Sequence, residues 1–588
     1  PIFKKNNREN LQNYRPLSLT TTDYKILTII LANRLQQVLG KIISEDQTAY
    51  IKKRVIGQNI RLVEDVIEYC RRFNLGGAIL FLDFHKAFDS LEIPFLIRTL
   101  EQFNFGQTFI SWVKTLYNKP QVLIKNNGWL SKPITTTRGI RQGCPLSAML
   151  FIISVEILSL HIKQENSIPG ITIRTIHGQK EIKIAQYADD ANIFLKRIAD
   201  VTKAIEIVNR FSNVAGPTLN IDKTEGMKMF ADLNNNECFE GISWKTTPIR
   251  CLGVYVGLDK TACNKQNWLN KLDEMQKLLD NWRSRDLTLF GRVTIVKVLG
   301  LSKFTYLAQN TDIPDNIIAK ISHMTHRFIW KGPDRVKRKT IIESTGKGGL
   351  NMIDLKSYFS SLKSVWIKRI LDSSQDANWS CIAKQYLNGI GTNNYFLYMD
   401  FSYKNMPTYI RNLPEFYTQL LSSFNSSKPE PIELDEMTTE DILNMSIWGN
   451  RLIQYRRHRK DGWSTLFYKN WVKVGIRQIK DLAIINQKLS PTHISQKLRD
   501  KRNMHIEINI LQKAIQPILQ IIKNNNPEAV LQNLPPIPCI HPKNIYNQIA
   551  HKSVVSPTMQ KWEAHFNVQL TLDNIHQLFN SRVTMFQD

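Results

Sequence analysis

Asp189 and Asp190 stand side by side in the stretch Gln186-Tyr187-Ala188-Asp189-Asp190-Ala191, with Ile182 and Ile184 leading in and Ile193, Phe194 and Leu195 following. That pattern predicts two short strands joined by a tight turn at the acidic pair. Adjacent carboxylates at a hairpin tip repel each other and are poorly placed to serve a core. A divalent cation resolves the repulsion, because Mg²⁺ favours carboxylate oxygens and takes the rest of its shell from water and substrate phosphates. The competing reading is a polar turn, since Asp is a common turn residue. A third acidic residue shifts the balance. The apolar run Ala78-Ile79-Leu80-Phe81-Leu82 ends in Asp83 and predicts a buried strand with a carboxylate at its carboxyl end. A lone Asp there more often caps the following helix. One carboxylate on a strand end beside two on a hairpin makes the two-metal site of a nucleotidyl transferase.

Several elements must position these groups. Phe84-His85-Lys86-Ala87-Phe88-Asp89 turns off the strand, and a helix is expected from about Ile93. Between the two acidic sites lies Arg138-Gly139-Ile140-Arg141-Gln142-Gly143-Cys144-Pro145-Leu146-Ser147, whose glycines and proline mark a close-approach loop. Ser147 is the expected N-cap of an apolar helix over 148–160. Upstream, an amphipathic helix is predicted with Tyr24, Ile26, Leu27, Ile30, Leu31 and Leu35 on its apolar face, and another at about 57–72. Past the hairpin, residues 216–224 read as a turn into a short strand bearing Lys223, and 251–257 as a hairpin with glycine at both ends. From 265 to 310 the pattern is helical, with Trp268, Leu272, Met275, Leu278, Leu279 and Trp282 at core spacing. A helix over 317–330 follows.

Charge names the partner class. The 588 residues carry 78 Lys and Arg against 51 Asp and Glu, a net +27. That argues for a polyanion, nucleic acid before membrane. Basic clusters lie at 331–339 (Lys331, Arg335, Lys337, Arg338, Lys339) and at 451–460, where Arg456 and Arg457 accompany Tyr455. These are candidate backbone-phosphate contacts, the second also suited to single strands through its aromatics. Hydrophobic residues make up 42 %, enough for sizeable cores. The seven cysteines form no CxxC pair, so no zinc knuckle or disulfide framework is indicated, and free thiols fit an intracellular setting. The longest apolar run, 148–153, is too short to cross a bilayer. Linkers are expected at 422–431, 523–527 and 534–542. The chain starts at Pro1 inside a motif-bearing region and reads as a fragment of a longer polypeptide.

The ordered set Asn13-Tyr-Arg-Pro-Leu-Ser-Leu19, Phe81-Leu-Asp-Phe-His-Lys-Ala-Phe-Asp89, Arg141-Gln-Gly-Cys-Pro-Leu-Ser147, Tyr187-Ala-Asp-Asp190, Leu219-Asn-Ile-Asp-Lys223 and Cys251-Leu-Gly253 resembles the reverse transcriptase of non-LTR (LINE-type, LINE-one-like) retrotransposons. The likeness runs closely to about residue 260 and well to about 370. It implies an α+β fold: a right-hand polymerase with fingers, a palm holding an antiparallel sheet and the YxDD hairpin, and a helical thumb. A mainly α-helical C-terminal region follows. Boundaries would be 1–260 for fingers and palm, 261–312 for the thumb, 313–421 for a helical post-thumb region and 432–588 for a basic C-terminal region.

The resemblance implies Asp83 and Asp189 as direct ligands of Mg²⁺, with Asp190 beside them and the Phe84 carbonyl assisting. Two ions are implied, with Mn²⁺ able to substitute. Arg15 would hold the triphosphate, and Phe88 would exclude a ribose 2′-OH. Gln142 and Gly143 would lie against the nucleotide, Lys223 would protonate the leaving pyrophosphate, and Leu252 and Gly253 would grip the primer. Implied partners are an RNA template, a DNA primer or target and deoxynucleoside triphosphates, with no membrane. The oligomeric state is open. Nucleus and cytoplasm are the expected locations. Two other readings share the palm motifs: a group II intron-like maturase, and a catalytically dead RNA-binding relic. One departure from the family stands at residues 50–54, Tyr-Ile-Lys-Lys-Arg, where an aromatic followed by a Pro-Gly turn is usual.

Overall fold

The computed structural model describes residues 17–175, 178–234, 241–371, 377–387 and 412–425 continuously, with shorter stretches before 17 and between 442 and 546. The chain divides into two compact units, one of residues 1–264 with 376–382 and one of 265–375 with 383–588.

A five-stranded sheet organises the first unit. Its central strand β1 (Ala78–Leu82) is buried along its whole length, as an unbroken apolar run should be when both faces are covered. The hairpin strands β2 (Ile184–Tyr187) and β3 (Asp190–Leu195) lie on one side, and β4 (Glu225–Lys228) and β5 (Ser243–Trp244) on the other, in the order β2-β3-β1-β4-β5. All neighbours are antiparallel except β4 and β5, which run parallel. The helices are α1 (Thr22–Ile42), α2 (Ile56–Phe73), α3 (Ile93–Gln102), α4 (Ser147–Gln164) and α5 (Val201–Ala215). One core joins Leu80, Leu82, Ile193 and Leu195 of the sheet to Leu31, Leu35 and Leu39 of α1, Leu96 of α3, Phe151 of α4 and Val208 of α5. Each such fully buried side chain contributes about 1.5–3 kcal/mol.

Several elements differ from the sequence-based expectation. Helix α1 buries Leu31, Ala32, Leu35 and Leu39, while Ile26 and Ile30 are exposed, so its buried stripe lies further round and toward the carboxyl end. Helix α4 starts at Ser147 itself, with Leu146 as its uncapped preceding residue. The Ser147 hydroxyl is engaged with the Tyr117 hydroxyl at 3.0 Å instead. Lys223 stands on a 3₁₀ turn, Ile221–Lys223, and not on the strand Thr218–Leu219. α4 is also longer than its uninterrupted apolar run. By length and composition it could cross a membrane, but 61 % of it is buried in protein and Glu156 sits in its middle, the mark of a core helix.

In the second unit, α6 (Lys260–Arg283, which begins in the first) buries Trp268, Met275 and Leu279. The indole N–H of Trp268 donates to the Asp312 carbonyl at 3.0 Å. α7 (Leu289–Ile295), α8 (Ser302–Asn310), α9 (Asp315–Trp330), α10 (Arg338–Ile342) and α11 (Leu355–Leu371) follow. α12 (Glu415–Asn425) occupies the first part of the segment expected to be a linker at 422–431, and α13 (Met504–Asn524) covers the start of the one at 523–527. The expected connection at 534–542 lies almost entirely outside the described residues. The described C-terminal part is not purely helical. It also holds the small pairs Gln454–Tyr455 with Ser464–Thr465 and Ile484–Ile485 with Lys488–Leu489.

Burial lifts the Glu156 carboxyl to about 7, against the lowering effect of its bond from the Ser44 N–H. A carboxyl lifted in the folded state binds its proton more tightly there, so folding loses stability as pH rises from about 4.5 to 7. Glu156→Gln keeps the acceptor and removes the charge. It should match the wild type at pH 4.5 and exceed it at pH 8 by up to about 3 kcal/mol, read from urea midpoints at the two pH values.

Candidate active site

The β2–β3 hairpin closes through Ala188 and Asp189, since Tyr187 pairs with Asp190. Ala188 is held at φ +57°, a left-handed conformation that is costly for a residue with a Cβ. Asp189 is thus in the turn, half-buried, and Asp190 opens β3, exposed. Ala191 pairs with Leu82, which brings Asp190 and Asp83 together at the same end of neighbouring strands. The expectation of a strand ending in Asp83 beside an acidic hairpin is therefore met by register.

Residues 217–223 hold Asp83 from the other side. Phe84 and His85 pair with Leu219 and Thr218. The Asn220 backbone N–H donates to the Asp83 carbonyl at 2.8 Å, and its side-chain amide donates to Asp83 Oδ2 at 2.9 Å. Lys223 Nζ lies 3.8 Å from the same oxygen, on an exposed pair worth little to stability.

The glycine-rich loop meets the turn after β1. The Gly139 N–H donates to the Leu91 carbonyl at 2.7 Å and that of Ile140 to Phe88 at 2.8 Å. Gly139 has φ +87°, and a Cβ there would lie 2.4 Å from the Asp89 carbonyl oxygen, so only glycine fits. The Phe88 ring stacks on Phe151 of α4 with centroids 4.1 Å apart. Gln142 donates from its amide to Asp89 Oδ1 at 2.9 Å, while burial raises the Asp89 carboxyl above its ordinary range. The Gln142 carbonyl accepts from the Ser18 N–H at 3.0 Å, and Gly143, at φ +105°, is exposed. Arg141 is structural. Its guanidinium donates to the Tyr24 hydroxyl and the Leu116 carbonyl and faces the Tyr24 and Tyr117 rings. Arg15 lies on a short strand, Tyr14–Arg15, paired with Ile2–Phe3.

Leu252 and Gly253, at φ +48° and +84°, form the tight turn between Ile249–Cys251 and Val254–Val256. The Asn192 amide on β3 donates to Cys251 Sγ at 3.6 Å, tying this hairpin to the strand that begins at Asp190.

The basic run 331–339 is not one loop. Lys331 ends α9 in a left-handed conformation, and α10 begins at Arg338. Arg338 is tied to Asp334 at 2.8 Å and to the Ser322 hydroxyl at 3.0 Å. Arg335, Lys337 and Lys339 are exposed. Arg456 and Arg457 fall outside the described residues.

Asp83, Asp189 and Asp190 offer carboxylate oxygens alone, the chemistry Mg²⁺ favours. Among the described residues no three His, Cys, Asp or Glu side chains converge into a ready-made cation cage. A donor set of that openness suits an ion that keeps water and substrate phosphate in its shell. Asn220 was quoted within a motif without a role of its own, and the structure gives it one on Asp83. Gln47, whose carboxamide bonds the Ala188 backbone, had no sequence signal: a single polar residue in a loop resembles any other.

Residues 2–256 match the family model described as reverse transcriptase (RNA-dependent DNA polymerase). Over 457 residues the chain is 27 % identical to the Transposon TX1 uncharacterized 149 kDa protein of Xenopus laevis, covering 76 % of this chain and 34 % of that protein. Over 219 residues it is 26 % identical to the Retrovirus-related Pol polyprotein from type-2 retrotransposable element R2DM of Drosophila melanogaster, covering 37 % and 20 %. The chain thus spans about a third or less of these two relatives' length. Among solved structures, telomerase from Candida albicans, with a fragment of telomeric RNA, overlaps 61 % of this chain and 56 % of its own at 12 % identity and a TM-score of 0.27.

Gly139→Ala should lower stability by about 1–3 kcal/mol, because backbone must move to clear the Asp89 carbonyl. Gly40→Ala, in α1 with nothing within 4 Å of the added Cβ, should raise it by about 0.5–1 kcal/mol. Urea denaturation of the two variants side by side provides the check.

Proposed function

We propose that residues 2–256 form a reverse transcriptase domain related to those of non-LTR retrotransposons, and that the chain extends a DNA 3′ end on an RNA template. The observation that carries the proposal is the placement of Asp83 beside Asp190 by the β1–β3 register, with Asp189 in the adjoining turn. On this reading residues 1–260 are fingers and palm, 261–312 the thumb, 313–421 the post-thumb region and 432–588 a basic C-terminal region. The palm sheet is the five-stranded one, antiparallel but for its last pair.

Asp83 and Asp189 would hold Mg²⁺, with Asp190 and the Phe84 carbonyl at hand. Bound there, Mg²⁺ would supply the charge that lowers the pKa of a primer 3′-hydroxyl and neutralises a triphosphate. The chain's own groups do the rest. Asn220 fixes the Asp83 carboxylate in one orientation. Lys223, next to Asp83, would give its proton to the departing pyrophosphate. Arg15 would pair with the triphosphate. Phe88, braced by Phe151, presents a rigid ring to the sugar. Gln142 and Gly143 form the wall against the nucleotide, and the Leu252–Gly253 turn holds the primer end. Arg335, Lys337 and Lys339 are exposed cations suited to phosphate backbone. The intact carboxylate set favours this reading over a non-catalytic relic.

Asp83→Asn and Asp189→Asn should each cut primer extension on an RNA template at least about 100-fold, the loss of several kcal/mol of charge stabilisation. Each leaves RNA affinity close to normal, because a charge of +27 barely changes. Extension assays run beside filter binding test the proposal, and substantial synthesis by either variant would remove its basis. Phe88→Val should lower the preference for deoxynucleotides over ribonucleotides by about 10–100-fold. An unchanged ratio in an active variant would make Phe88 a core residue only.

A further inference from the structure

We propose that Gln47 is a positioning residue for the acidic turn: it clamps the backbone of Ala188 and so sets where the Asp189 carboxylate points. The inference rests on the metal-dependent reading of the site. Gln47 is fully buried, on the loop between α1 and α2. Its Oε1 accepts from the Ala188 N–H and from the Ala49 N–H, each at 3.0 Å, and its Nε2 donates to the Ala188 carbonyl at 3.4 Å. Both polar groups of the turn residue are thus met by one side chain. On either side, the Gln186 N–H donates to the Asp46 carbonyl at 2.8 Å and the Thr48 N–H to the Gln186 carbonyl at 2.9 Å. These bonds add a short parallel bridge to the outer edge of β2.

Such a clamp has a physical reason. The Asp189 carboxylate in the two-residue turn adjoins that of Asp190 at the start of β3, and their like charge works against the turn. Its Ala188 sits in a left-handed conformation that alanine does not favour by itself. Surrounding contacts must over-determine it. The clamp is itself held. Arg54 donates to the carbonyls of Ile43, Ser44 and Gln47, and Lys163 and Asn378 bind the two Asp46 oxygens at 2.7 Å each. The 50–54 segment, which departs from the family's usual Pro-Gly turn, supplies the anchoring Arg54. It makes its bends through Tyr50 at φ +58° and Lys53 at φ +70°.

Gln47→Met matches the side chain in length and removes its bonding groups. Two readouts are taken, beside a wild type that must itself extend a primer if the functional reading holds. Hydrogen exchange over 184–195 should speed up while 78–82 keeps its protection. Maximal primer extension should fall by about 10–100-fold, with the Mg²⁺ concentration for half-maximal rate raised and duplex affinity within twofold, as for outer groups that orient metal ligands. Unchanged exchange and unchanged rate, in a chain whose wild type is active, overturn the proposal and leave the functional reading standing. Should Gln47→Met not fold, Gln47→Glu keeps the acceptor. Its extension rate relative to wild type should then fall as pH rises and the buried carboxyl ionises, and a flat ratio overturns the proposal.

Discussion

The register that brings three carboxylates to one end of a single sheet is the constraint on which the first unit depends. The β1–β3 register sets Asp83 and Asp190 at one end of the sheet, with Asp189 in the adjoining turn, and carboxylates brought to one end of a sheet repel each other. Nothing about the carboxylates themselves favours that arrangement. The register of β1 with β3, the Asn220 bonds to Asp83 and the Gln47 bonds to Ala188 impose it. The surrounding apolar core makes the imposition affordable. β1 is buried on both faces, and α4 sets Phe151, Val155 and Leu158 around the small cavity that Ala188 and Asp189 also line.

The same core braces the residues proposed to meet the nucleotide. Phe88 is part of the stack on Phe151, and the loop bearing Gln142 is fastened to the backbone of Phe88 and Leu91 through Gly139 and Ile140. A ring so braced is held in one orientation, which is what the proposed exclusion of a ribose 2′-hydroxyl would require. Arg141 stiffens the loop's far side through Tyr24, so the loop is tied to α1 as well.

Much of this was legible in the sequence because the relevant signals are local. The run 78–82 and the apolar residues flanking the acidic pair indicate strands, and two-residue turns fix their own register. What escaped was non-local or cooperative. Helix α1 carries more apolar residues than its face can bury, so periodicity alone misplaced Ile26 and Ile30. Ser147 looked like a cap, but Tyr117, thirty residues away in sequence, takes its hydroxyl. Gln47 bonds a residue 141 positions later, a relation that no spacing encodes. In the basic run 331–339 composition indicated charge correctly but not structure, since Arg338 is already paired with Asp334 and starts a helix.

The central claim is that the three carboxylates form one cation site shared with a nucleotide triphosphate. A crystal of the chain with primer, RNA template, a non-hydrolysable deoxynucleotide analogue and Mn²⁺, measured at the manganese absorption edge, tests it most directly. The account predicts two anomalous peaks within coordination distance of the Asp83 and Asp189 carboxylates, with the triphosphate oxygens completing their shells. A nucleotide seated in the site with no peak on either carboxylate, or peaks confined to residues elsewhere, would contradict it.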